Sequence, residues 1–227
     1  MENGKDIFWI GFGDIHERIS LVRKIDSMPL AQGVLISGDL TNVGGRVSAT
    51  RIIHEIEQLN PRIFAQIGNM DTLEVDDYLT EKQINAHASA KDLGHGVGLM
   101  GVGYSTTTPF HTPSEVSEKQ LERWLHQVRC SSEKFDHLIL MAHTPPHGTK
   151  TDRIRSGQSV GSMAVRRFIE DIQPEVCLTG HIHEAKSEDQ IGRTRIVNPG
   201  PFQDGGYAVI RLEDDRLTIR LEQVEIY

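Results

Sequence analysis

Apolar residues fall along this chain in short runs that end in glycine and a polar side chain. DIFWIGFG (6–13), GVLISGD (33–39) and RIFAQIG (62–68) have the length and β-branched content of strands. Helical patterns separate them. One is expected over 16–28. The other spans 45–59, with Ile52, Ile53, Ile56 and Leu59 on one face and Pro61 as its stop. This β-α-β-α-β opening predicts a parallel sheet with right-handed crossovers.

The rhythm then changes. GVGLMGVGY (96–104) reads as a strand, TTTPFHTPSE (106–115) as a loop, and Ser117 as the cap of a helix over 118–129. DHLILMAH (136–143) is a strand, 162–172 a helix and EVCLTGH (175–181) a strand. TRIVNPG, YAVIRLE and RLTIRLEQVEI are β, with LEDDRL (212–217) as a hairpin turn. No Pro/Gly/Ser-rich linker interrupts the chain. The expectation is one α/β domain over 1–227: a parallel first half joined to a mixed or antiparallel second half, in two packed sheets.

Composition narrows the chemistry. With 227 residues the chain can bury a sizeable core. The net charge of −8 argues against binding nucleic-acid backbone by surface charge, so any phosphate must meet a local positive centre. Two cysteines make no disulfide framework, and Cys177 in EVCLTG reads as a small buried hydrophobe. No run approaches the roughly 20 apolar residues of a membrane span. The start lacks a basic segment and a small-residue cleavage site. A cytoplasmic location is therefore expected, and a homo-oligomer stays open.

Five expected strands end in residues suited to metal binding: Asp14 and His16; Asp39; Asn69 and Asp71; His143; His181 and His183. In open α/β sheets, ligands gather at the carboxyl ends of strands. Each motif alone reads as an ordinary turn or a solvated histidine; their recurrence at consecutive strand ends does not.

The order D-x-H, GD, GN-x-D, H, GH-x-H resembles the calcineurin-like metallophosphoesterase superfamily from residue 14 to about 200. GYSTTTPFHTPSEVSEKQL, AHTPPHGT and NPGP are similar to its bacterial and archaeal Icc-related branch. The resemblance implies a four-layer α-β-β-α sandwich of two mixed sheets flanked by helices, and a dinuclear centre. One divalent ion would take Asp14, His16, Asp39 and His183; the other would take Asp39, Asn69, His143 and His181. Imidazole-rich sites suit Mn, Fe, Ni or Zn, with Mn the first choice. The implied activity is phosphoester hydrolysis by in-line attack of a metal-bridging hydroxide, on a small phosphodiester in preference to a monoester. A nucleotide phosphatase, or a partner-binding scaffold that has retired the site, are the alternatives.

Met70 departs from the pattern, because most of the superfamily has histidine there. A thioether has no proton to give a leaving group. The site would then favour good leaving groups, or His147 or His111 would take over the proton. His147 and His111 are candidate substrate contacts, with Arg153 as an anion contact, and Asp39, Asn69 and His147 as the catalytic set. Asp71 is expected to bind water or cap the following turn, and Asn198 to brace the metal loops.

Overall fold

The computed structural model describes residues 7–225. The expected strands that start at residue 6 and end at 226 reach just outside them. β1 (Ile7–Phe12) leads through two 3₁₀ turns to β2 (Val34–Ile36), α1 (Arg46–Glu57), β3 (Ile63–Ala65) and α2 (Leu73–Glu81). An antiparallel pair follows, β4 (Ser89–Gly94) and β5 (Val97–Val102), then the short strands β6 (Ser105–Thr106) and β7 (Glu115–Val116). Next come α3 (Glu118–Ser132), β8 (His137–Ala142), α4 (Met163–Ile172) and β9 (Val176–Leu178). The chain finishes in β10 (Ser187–Ile191), β11 (Thr194–Asn198), β12 (Gly206–Glu213) and β13 (Arg216–Gln223).

Two large sheets result, ordered β13-β12-β1-β2-β3 and β10-β11-β9-β8-β5-β4, and β6 pairs with β7 in a small parallel one. β1, β2 and β3 are parallel, as the opening pattern requires. The second half is mixed, one of the two arrangements expected. β5, β8, β9 and β11 are also parallel, and antiparallel strands edge them. The last hairpin crosses back to lie antiparallel to β1. Its turn is only Asp214 and Asp215, both at positive φ (48° and 60°), the two-residue geometry that follows strand twist.

Side chains alternate between faces along each strand. Phe8, Ile10 and Phe12 of β1 pack with Ile52, Ile53 and Ile56 of α1 and Val75 and Leu79 of α2. Trp9 turns the other way, into the layer between the sheets, with Leu35, Ile139, Met141, Val176 and Leu178. Leu140 of β8 and Cys177 of β9 face outward onto Leu121, Leu125 and Val128 of α3 and Val165 and Ile169 of α4. Each fully buried side chain of this kind contributes about 1.5–3 kcal/mol. These three apolar layers make a four-layer α-β-β-α sandwich, as the resemblance implies.

The helix expected over 16–28 is absent. Ile19, Val22, Ile25 and Met28 are buried at a strict spacing of three, which suits 3₁₀ turns, and these form at Ser20–Lys24 and Met28–Leu30. Ser117 caps α3 as expected, its hydroxyl accepting the Gln120 N–H at 3.3 Å. No helix among the described residues is long and apolar enough to cross a membrane.

Candidate metal centre

Seven expected ligands sit on loops at the carboxyl ends of β1, β2, β3, β8 and β9, and the loops interlock. The Ile15 and His16 N–H groups donate to Asp39 O (2.8 and 3.0 Å), and the Phe202 N–H donates to Asp14 O (3.1 Å). The Asp14 carboxylate accepts the His181 N–H (3.0 and 3.1 Å), tying the first loop to the last. Asp14, His16, Asp39 and His181 all have positive φ, between 44° and 68°. Two glycines allow the close approach. A Cβ on Gly38 would lie 2.7 Å from His143 Nδ1, and one on Gly68 would strike the Asp39 carboxylate.

Asp14, His16, Asp39 and His183 each turn one ligand atom toward a common point, all within 4.8 Å of one another. His16 Nε2 and His183 Nε2 are 3.0 Å apart. His16 Nε2 is 3.6 Å from Asp39 Oδ2, and His183 Nε2 is 3.5 Å from Asp14 Oδ1. On the other side of Asp39, His143 Nε2 lies 3.5 Å from the same Oδ2 and 3.1 Å from Asn69 Oδ1. The His181 ring packs beside His143, centroids 5.2 Å apart.

This donor set fits divalent cations. His143 Nδ1 donates to Ser37 O (3.2 Å), which turns the Nε2 lone pair into the site. Asn69 Nδ2 donates to Thr112 Oγ1 (3.0 Å), and that hydroxyl donates to Glu115 Oε1 (2.6 Å), so the amide oxygen faces inward. Burial works to raise the Asp39 carboxyl, but the His143 and His16 rings and the Met70 N–H outweigh it and hold it at about 2. Burial lowers His143, yet Asp39 pulls it up to about 9, and Asp14 raises His183 against its burial. Burial and the neighbouring His143 keep His181 neutral, at about 4. The carboxylates therefore draw protons onto imidazoles that a bound cation displaces.

Other expected residues fall elsewhere. Asp71 does not cap the next turn. It is fully buried and accepts the N–H groups of Leu40 (3.1 Å), Thr41 (2.7 Å) and Gly68 (3.0 Å) and the Thr41 hydroxyl (2.9 Å), clasping two ligand loops together. Burial and the nearby Asp39 charge push it up to about 7 against those donors. Asn198 does brace a ligand loop, donating to Ile182 O (2.9 Å) and Gly180 O (3.4 Å) on either side of His181. His147 faces the buried Asp152 (Nδ1–Oδ2 3.7 Å). His111 is exposed on the 106–115 loop, and Arg153 donates to Gly157 O (2.9 Å). Among the described residues none of these three makes a hydrogen bond or ion pair with a ligand side chain.

Sequence reasoning missed Thr112 and Glu115. Their T-x-x-E spacing is a local hydrogen-bonding signal: Glu115 accepts the Thr112 N–H at 2.8 Å.

Comparison with known proteins bears on the family and the fold. The family model described as "Metallophosphoesterase, calcineurin superfamily" matches residues 116–224. The uncharacterized protein MJ1162 of Methanocaldococcus jannaschii is 30% identical over 197 residues, covering 85% of this chain and 87% of the relative. The crystal structure of TT1561 of Thermus thermophilus superposes with a TM-score of 0.73 at 16% identity, covering 97% of this chain and 100% of that one. A 5'-nucleotidase of Candida albicans gives a TM-score of 0.56 at 12% identity, covering 97% of this chain and 52% of that one. At such identities the two structures share the fold.

Proposed function

The chain belongs to the calcineurin superfamily of metallophosphoesterases, and from that premise we propose that it is a dinuclear phosphoesterase that prefers diesters to monoesters. The observation that carries the proposal is Asp39 Oδ2, which faces His16 Nε2 at 3.6 Å and His143 Nε2 at 3.5 Å. One carboxylate oxygen thus stands between two ligand groups. Divalent cations bound there supply Lewis acidity toward phosphoryl oxygens and activate water near neutral pH. Asp14, His16, Asp39 and His183 would hold one; Asp39, Asn69, His143 and His181 the other.

The chain's own residues set the preference. Met70 donates its backbone N–H to Asp39 Oδ1 (2.7 Å), and its thioether offers no proton. A general acid typically contributes about 10²–10⁴-fold, most for poor leaving groups. Without one, esters with acidic leaving alcohols turn over best. His147 stays the catalytic and substrate-binding candidate, with His111 and Arg153 as further substrate contacts, each on a loop flanking the ligand loops.

The test is metal analysis with paired assays on bis(nitrophenyl) phosphate and nitrophenyl phosphate, with Mn added and with chelator. Two metal equivalents per chain and Mn-dependent turnover, faster on the diester, are expected. Full turnover in chelator would end the proposal. Met70→His should raise activity on alkyl monoesters more than on the nitrophenyl diester; equal changes would make the position catalytically silent.

A further inference from the structure

A second concavity lies along the edge of the sandwich. The free edge of β13 faces the β10–β11 hairpin across a cleft of about 640 Å³, within the roughly 300–1,000 Å³ of small-molecule pockets. It begins at Glu175, on the end of β9 opposite the loop that carries His181 and His183. Four arginines line it: Arg193, Arg195, Arg216 and Arg220. In a chain of net charge −8, such a concentration of cations in one cleft is a local feature and not a sample of a basic surface. Arg195 reaches Glu188 at 3.2 Å, and Arg193 Nε donates to Gln173 O at 2.9 Å. Among the described residues Arg216 and Arg220 have no ion-pair partner.

The backbone of β13 supplies an independent observation. Its outward N–H groups at Leu217 and Leu221 each meet a carboxylate of this same chain, Glu175 Oε1 at 3.2 Å and Glu188 Oε1 at 2.7 Å. Strand groups alternate sides with a period of two residues, so the Ile219 N–H, midway between, points the same way. This edge already takes up carboxylates on both sides of Ile219. Ile219 itself lines the cleft beside Thr218 and the arginines. A peptide adding to β13 as a strand would need the flanking N–H groups that Glu175 and Glu188 occupy. A compact anion needs only the central one.

We propose that this cleft is a second ligand site, for a small, multiply charged phosphate-type anion. The Ile219 N–H and the guanidinium forks of Arg195, Arg216 and Arg220 hold it, a geometry that matches phosphate oxygens in pairs. It shares no residue with the metal centre, so it stands or falls independently of the phosphoesterase reading.

The experiment is calorimetric titration of the full chain with inorganic pyrophosphate, in chelator so that the metal centre offers no cation to the probe. Wild type and His183→Ala are expected to bind alike, within about twofold, because the metal ligands take no part. Arg195→Ala/Arg220→Ala, which removes two exposed side chains and should keep the wild-type melting temperature, is expected to bind at least about tenfold more weakly. Failure of wild type to bind, equal binding by the double variant, or loss of binding in His183→Ala would each overturn the site.

Discussion

The two halves of the candidate metal centre are built to different depths. His143 and Asn69 are buried, and each is oriented by a partner behind it: the Ser37 carbonyl for the ring, Thr112 and Glu115 for the amide. His183 is 43% exposed and His16 19%, and their rings meet in a T, centroids 4.9 Å apart. On the proposed reading, the buried, braced half would hold a cation more rigidly than the open half, which is the side a substrate would reach. Asp39 belongs to both.

Removing the shared residue should do most. Asp39→Ala is expected to lose both metal equivalents and about 10³-fold or more in turnover, read by metal analysis and diester assay. Retention of one full equivalent would mean that the halves are independent. The next contrast sets one half against the other. His143→Ala leaves the buried Asp39 carboxylate without its main partner and should cost about 3–5 kcal/mol in unfolding free energy. His183→Ala removes one partner of the buried Asp14, which keeps the His181 N–H, so it should cost less, about 1 kcal/mol, while losing one metal equivalent. Equal destabilisation would erase the distinction in depth.

Thr112→Val tests the bracing alone. It frees the Asn69 amide and should weaken the more tightly held metal about 10–100-fold, with the other unchanged. The smallest effect lies far from both halves. His137 sits 3.0 Å from Glu175 and 3.1 Å from Asp215, and these carboxylates raise its imidazole above the usual 6.5 despite the opposing effect of burial. A group raised on folding stabilises fully below its unfolded pKa and loses that contribution as pH rises through the folded value. Glu175, the stronger partner, is partly exposed and Asp215 almost fully so; solvent screens both pairs, and the loss should be about 1 kcal/mol. Denaturant unfolding from pH 6 upward should show it in wild type and not in His137→Gln.

The candidate ligands were legible because four of the five strand ends carry a local mark, an apolar run, a glycine, then a donor; His143 follows Ala142 and stood out only beside the others. The four layers came from the family resemblance, because β1, β8 and β9 are apolar on both faces and their pattern alone does not say what covers each side. α2 was not, because it buries only Val75, Tyr78 and Leu79 among polar neighbours in a stretch without a strong period. The 3₁₀ turns after β1 were misread because a spacing of three between neighbouring apolar residues occurs in both helix types, and only the full run Ile19, Val22, Ile25 and Met28 separates them. Asp71 was misassigned because its partners at Leu40 and Thr41 are distant in sequence, and nothing near it marks a clasp.

The positive φ values at Asp14, His16, Asp39 and His181 carry a consequence for engineering. A left-handed backbone costs an L side chain about 1–2 kcal/mol that glycine avoids. A library of this chain screened only for heat resistance should therefore drift toward glycine at His16 and His181, and its hardiest survivors would be the ones least able to bind metal.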